Sequence, residues 1–284
     1  MGYSFAGHET FTCRNYWLKK GLDHYWNGGN FTSSSIKELG VGKNMVGSIR
    51  FWLKAFGLVD IDKYQSDLAK FIFDDKGVDP YLEDIGTIWL LHFLLVTTEY
   101  ASIYSLVFNH FRKLRVEFTK EQLLAFLEHE LVSKSQSYSV NSLNKDISVF
   151  LNNYTRPIKQ KSVEEEFMGL LYELDLIERV QKIGNKQSYK IESQNRDTLS
   201  PLILLACLLY SMNGNSISFN EILNGMNNVG SVFALNSNSV LDKLKEGIEM
   251  FPKHLVYSDD GGVQVLQVIK DIDYKTVLNQ YYAA

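Results

Sequence analysis

Three observations predict a mostly α-helical protein with small antiparallel β hairpins. Apolar residues recur at helical spacing through most of the long segments, and glycine turns or polar breaks separate those segments. Short stretches that read as strands around a polar turn follow three of the helical pairs.

Asn15–Tyr25 carries aromatic residues and leucines at helical spacing. Gly28-Gly29-Asn30 is a loop, and Thr32 with the serines after it can cap a helix beginning near Ser34. That helix runs through Ile36 and Leu39, breaks at Gly40-Val41-Gly42 and restarts at Lys43. Its second arm has apolar residues at Met45, Val46, Ile49, Trp52, Leu53 and Phe56. Gly57 is a left-handed stop, and Leu58–Ile61 alternates as a strand would, so a wing hairpin is expected next. After the break at Asp79-Pro80-Tyr81, Leu82–Phe111 reads as helix, and a threonine cap opens another over Thr119–Glu130.

Val140–Asn152 and Val163–Ile177 are two further helices, separated by Thr155-Arg156-Pro157. Glu178–Ile183, Gly184-Asn185-Lys186 and Gln187–Ile191 then read as strand, turn, strand. Leu199–Leu209 is a buried core helix. Asn220–Gly225 and Ser237–Met250 are helices, and Leu255–Ser258 and Val263–Val268 flank an acidic turn at Asp259–Gly262. Helix, turn, helix and hairpin thus recur as tandem winged helix-turn-helix-like lobes around a helical middle region. The expected divisions are an N-terminal winged lobe at 1–78, a helical middle with a second winged unit at 79–198, and a C-terminal winged interaction lobe at 199–284. No residue-level repeat of fixed period links them.

Composition narrows the function. A charged share of 22% and a hydrophobic share of 45% exclude disorder, because such a chain buries enough apolar surface to offset its ordering entropy. The formal charge of -4 excludes a uniformly basic coat, so nucleic-acid contact must use local surfaces. Residues 1–60 supply one, with seven Lys and Arg against four Asp and Glu, a net of +3. Cys13 and Cys207 are too far apart in sequence for a disulfide framework or a CxxC zinc site and fit a reducing cytosol. The N-terminus lacks the plan of a secretory signal. The apolar runs Ile88–Val96 and Leu199–Leu209 are shorter than the ~20 residues a bilayer requires, so a cytoplasmic protein without membrane association is expected.

In a helix-turn-helix the second helix enters the major groove by its N-terminal end. Here that end carries Gly42, Lys43, Asn44, Ser48 and Arg50, small or polar groups suited to phosphates and base edges. The same architecture also serves as a protein-docking module, with Lys43 and Arg50 as solvated charges. Lys182 and Lys186, with Arg179 and Lys190, can line a second wing along a phosphate backbone or simply solvate a hairpin; Arg156, Lys159 and Lys161 add charge upstream. His110–Arg115 is basic, though on a helix such charges usually snorkel around buried Phe111 and Leu114. Asp259 and Asp260 repel phosphate and assign the third lobe to protein contact.

Catalytic signals are sparse. Asp60 with Asp74-Asp75-Lys76, and Asp260 with Asp273-Tyr274-Lys275, loosely match the acids and lysine of a nuclease but identify no active site. Metal ligands stay unassigned: His8, Glu9, Cys13 and His24 lack regular spacing, and no phosphate-binding glycine loop is present. His8 and Glu9 near Arg14 offer an acid, a base and a phosphate clamp if the N-terminal segment folds beside the recognition helix. The alternative is a buried polar staple.

Phe5-Ala6-Gly7-His8-Glu9-Thr10-Phe11-Thr12-Cys13-Arg14-Asn15-Tyr16-Trp17-Leu18-Lys19-Lys20-Gly21, joined to the stretch LGVGKNMVGSIRFWLKAFGLV, resembles the DUF4007 family over most of the chain. The matching positions are His8, Glu9, Thr10, Arg14, Trp17, Lys20, Lys43, Asn44 and Arg50. The resemblance implies a DNA-engaging subunit of a bacterial phosphorothioate modification and phage-defence system. Its implied partners are duplex DNA, a cysteine desulfurase, a PAPS-reductase-like protein and an ATPase. One branch of the family is linked to DNA nicking, which would require Mg²⁺ or Mn²⁺. Arg14, Lys20, Lys43, Asn44, Ser48, Arg50, Lys182 and Lys186 are the DNA-contact candidates. A non-enzymatic transcriptional regulator or docking scaffold is the alternative.

Overall fold

The computed structural model describes residues 2–32, 35–59, 66–156, 169–181 and 187–283. It is mostly helical with small antiparallel sheets and divides into two compact units, Met1–Ile191 and Glu192–Ala284.

The first unit opens on three short helices, α1 (Asn15–Trp26), α2 (Ser35–Leu39) and α3 (Lys43–Ala55). Gly40 turns the chain between α2 and α3 in the left-handed region, at φ +59. Helices α1 and α3 cross closely at Gly21, where a Cβ would stand 2.6 Å from Ile49 Cγ2, so only glycine fits. Leu18, Leu22, Ile49, Trp52, Leu53 and Phe56 are buried there. Gly57 stops α3 at φ +63, as expected. Residues 60–65, which hold most of the expected first wing and Asp60, lie outside the described residues. Beyond them the chain forms a helix, α4 (Asp67–Phe73), capped by Ser66.

The helix expected over Leu82–Phe111 is two helices. α5 (Ile85–Thr97) is followed by α6 (Ser102–Leu106), a π-helical turn (Val107–Phe111) and α7 (Arg112–Leu114), bent by 94° from α5. Both arms are buried almost all round, so no change of amphipathic phase marks the break. Thr98 Oγ1 caps the Leu94 carbonyl at 2.6 Å and Glu99 turns left-handed at φ +58. Among the described residues no single helix is long and apolar enough to cross a membrane.

Next come β1 (Glu117–Phe118), α8 (Lys120–Ser133), α9 (Val140–Tyr154), β2 (Glu178–Gln181) and β3 (Gln187–Lys190). A capping box of Thr119 and Gln122 starts α8. The sheet is antiparallel in the order β1-β3-β2, with Phe118 and Arg179 both opposite Tyr189. The expected helix Val163–Ile177 does not run through its described part: residues 169–177 hold only a 3-10 turn, Tyr172–Leu174. There Gly169 presses on the α9 backbone, where a Cβ would lie 2.4 Å from the Asn153 Cα, and the Leu170 N–H donates to the Cys13 carbonyl at 3.0 Å. Residues 157–168 and the turn 182–186 lie outside the described residues.

The second unit repeats this element order. It contains α10 (Pro201–Ser211), β4 (Ser216–Ser218), α11 (Phe219–Asn224), α12 (Val229–Val232), α13 (Ser237–Glu249), β5 (Leu255–Asp260), β6 (Val263–Val268) and α14 (Tyr274–Tyr282). Its sheet order is β4-β6-β5. The strands run through Asp260, so the turn is the pair Gly261-Gly262, whose φ values of +60 and +85 suit a two-residue hairpin.

Candidate nucleic-acid interface

α3 divides sharply between core and solvent. Val46, Ile49, Trp52 and Leu53 are buried, whereas Lys43, Asn44, Gly47 and Arg50 are exposed. At 3.6 residues per turn Lys43, Gly47, Arg50 and Lys54 fall on one stripe, which carries no acid. Lys54 reaches over the Tyr100 ring, 5.9 Å from its centroid. The aligned N–H groups of Lys43, Asn44 and Met45 add partial positive charge at the same end.

Ser48 departs from the expectation. It is fully buried and its hydroxyl has no hydrogen-bond partner, so it cannot reach DNA. It lies three residues after Met45 and four before Trp52, the inward phase of the helix.

The N-terminal segment folds beside α3. Ala6, Gly7, Glu9 and Thr10 all have positive φ, from +49 to +97, an unusual density outside glycine. Gly7 is required, since a Cβ there would meet Phe51 Cδ2 at 2.7 Å. Glu9 is exposed, and its Cγ lies 3.8 Å from where a Cβ on Gly47 would stand, so this loop extends the exposed stripe of α3.

His8 is buried, stacked 6.4 Å from Trp52 and edge-on to Phe51 at 5.5 Å. Its Nδ1 accepts from the Thr10 N–H at 3.2 Å, so Nε2 carries the proton and donates to Asp146 Oδ1 at 2.7 Å. The same oxygen accepts the Ala6 N–H at 2.8 Å, while the buried Oδ2 has no partner. With both ring nitrogens engaged away from solvent, His8 is the polar staple rather than an acid or base facing substrate. On either side, Tyr3 exchanges hydrogen bonds with Gln136, Ser4 with Ser102, and the Cys13 N–H donates to Asn153 Oδ1.

The other expected residues are dispersed. Arg14 lies over the Trp17 ring at 5.2 Å, and Lys20 donates to the Leu39 carbonyl at 3.1 Å, tying α1 to α2. Lys182 and Lys186 lie outside the described residues. Arg112, in the basic tract, is buried with Nε donating to the Phe108 carbonyl, and burial pulls its guanidinium down to about 10. Leu114, expected inside, is 72% exposed. A cleft of about 650 Å³ beside α1 contains Lys19, Lys20, Asp23, His24 and Glu38. Its charges compensate one another: Lys19 pairs with Asp23 and Asp75, and His24 with Glu38.

Among the described residues the nuclease and metal readings gain no assembled site. Asp75 is engaged by Lys19, and Asp273 caps α14. Among the described residues no three His, Cys, Asp or Glu side chains gather as ligands for a metal ion. Burial pushes both thiols, Cys13 and Cys207, well above their ordinary pKa, away from nucleophilic use. Sequence reasoning missed Asp146, 138 residues from His8, and the polar outer face of α9, whose phase was readable from its apolar spacing.

A family model described as "Protein of unknown function (DUF4007)" matches residues 5–282. A solved structure described as "SspB crystal structure" is 26% identical, covering 99% of this chain and 88% of that one at a TM-score of 0.83. A "Magnesium ion-bound SspB crystal structure" is likewise 26% identical over the same shares, at 0.85. No curated protein matches the chain.

Proposed function

Because the chain belongs to the DUF4007 family and has an SspB-like fold, we propose that it is a DNA-engaging subunit of a bacterial phosphorothioate modification and phage-defence system, working in the cytoplasm. The observation that carries this reading is the exposed stripe of α3, which has no acid of its own: Lys43 and Arg50 stand on it behind a glycine turn, with Asn44 beside them and Glu9 of the N-terminal loop against Gly47. Lysine and arginine there suit phosphates, and Asn44 suits an adenine edge in the major groove.

The finer architecture of this proposal is a set of tandem winged helices, with divisions at 78 and 198. The sheet orders β1-β3-β2 and β4-β6-β5 support it, because in a winged helix the strand preceding the helix-turn-helix pairs with the last strand of the wing. The C-terminal lobe meets partner proteins: Asp259 and Asp260 are exposed on its hairpin, beside the exposed Val263. Desulfurase, PAPS-reductase-like protein and ATPase are the partners this reading implies.

Supercoiled plasmid with Mg²⁺ or Mn²⁺ against EDTA, scored for nicked circles beside binding to a labelled duplex, tests the proposal. Nicking lost in EDTA would give this chain the cut; the magnesium-bound SspB structure is a precedent for magnesium binding by a protein of similar fold. Binding without nicking leaves recognition here and the chemistry with its partners. Failure to bind refutes the proposal and favours a docking scaffold.

A further inference from the structure

Helix α9, like α3, is the second of a helix pair; β2 and β3 come after α9, whereas α4 comes after α3. The residues of α9 sort by phase. Leu143, Ile147, Phe150, Leu151 and Tyr154 are buried in the core, while Asp146 and Asn153 are buried under the N-terminal segment. What remains is a stripe of Asn141, Asn144, Lys145, Ser148 and Asn152, none of them buried, within about 100° of arc.

That stripe is wholly polar, yet it has no carboxylate. The one acid of α9, Asp146, is turned inward and held by His8. Cations flank the stripe. Lys120 Nζ lies 3.4 Å from Ser148 Oγ, and Arg179, on β2, donates to Thr155 Oγ1 at 2.7 Å just past the end of α9. Burial first, and then the nearby Arg179 charge, lower the Lys120 ammonium, opposed by the Glu121 carboxylate beside it on α8. At the other end of the helix Tyr138 and Val140 are 42% and 45% exposed.

We infer that the outer stripe of α9 is a second duplex-DNA contact, with the Asn144 and Asn152 amides facing base edges and Lys145, Lys120 and Arg179 facing phosphates. The inference rests on reading α3 as a DNA-contacting helix. Its chemistry differs from that of α3. Asparagine pairs through both groups of its amide with adenine in the major groove; Asn144 gives one Nδ2 hydrogen to the Val140 carbonyl at 3.0 Å, leaving its second hydrogen and Oδ1 for the base, and exposed Val140 suits a thymine methyl. The α9 stripe therefore reads sequence more than it supplies charge, whereas Lys43 and Arg50 on α3 supply charge.

The test is fluorescence anisotropy of the full chain with a labelled duplex across a salt series, comparing wild type, K43A/R50A, N144A/N152A and K145A. All five substituted side chains are exposed, and thermal melting checks that each variant folds. N144A/N152A should bind about tenfold more weakly with the salt slope unchanged, and K145A should lower the slope by about one. If both α9 variants bind as wild type while K43A/R50A is weakened, the inference is overturned and the stripe belongs to a protein partner. If the α9 variants are weakened while K43A/R50A is not, the α3 reading fails alone. Absence of wild-type binding removes both.

Discussion

Replacing His8 by alanine should unpin the N-terminal segment without unfolding the protein. His8 and Asp146 are 5% and 3% exposed, and their 2.7 Å hydrogen bond supplies the carboxylate with its one side-chain donor among the described residues. Neutral His8 donates to a buried carboxylate, so removing it costs about 1.5–3 kcal/mol and leaves Asp146 with one donor fewer. The segment also stores strain, since Ala6, Glu9 and Thr10 each hold a left-handed backbone at roughly 1–3 kcal/mol. Once unpinned, that strain favours the open form. The outer anchors at Gln136 and Asn153 survive, so the expected response is local opening between them. Taking this hydrogen bond alone, amide exchange at Ala6 and Thr10 should accelerate about 10- to 10²-fold. Hydrogen–deuterium exchange read on peptides from this segment measures it, with peptides from the second unit as the control. Acceleration below about threefold would refute the staple, since even 1.5 kcal/mol corresponds to about tenfold.

Two further substitutions follow from burial and capping. Ser48→Ala removes a buried hydroxyl that has no partner, so stability should hold or rise by up to ~1–3 kcal/mol with DNA affinity unchanged; a loss of affinity in the anisotropy assay would return Ser48 to the interface. Asp273→Ala should cost about 0.5–2 kcal/mol in the unfolding of the second unit, because Asp273 caps α14 through the Thr276 hydroxyl and N–H. These hydrogen bonds hold the Asp273 carboxyl below its ordinary pKa, so its contribution is full above the ordinary carboxylate range and is lost as pH falls through the depressed folded value. A gap between wild type and variant that persisted at still lower pH would contradict that account.

Much of this fold was legible because local chemistry dictates it. The Gly40-Val41-Gly42 break, the Thr119 cap and the hairpin after Leu255 each declare themselves within a few residues, although the hairpin's turn is Gly261-Gly262 and not the expected Asp259–Gly262. What escaped lies beyond that range. β1 and β4 are two and three residues long, too short for alternation to register, and exist because β3 and β6 offer them an edge. The bend between α5 and α6 hides in a run apolar on every face. The staple joins His8 to a residue 138 positions away, which no local pattern can announce. Ser48 is the opposite case, since its phase between Met45 and Trp52 already placed it inside.

The most direct test of the central claim is the salt dependence of duplex binding by wild type and K43A/R50A. If α3 presents these two cations to phosphates, the double variant should bind more weakly and its slope of log affinity against log salt should shrink by about 1.8, or about 0.9 per lost contact. Parallel lines with equal affinity would contradict it and leave α3 as a surface for protein.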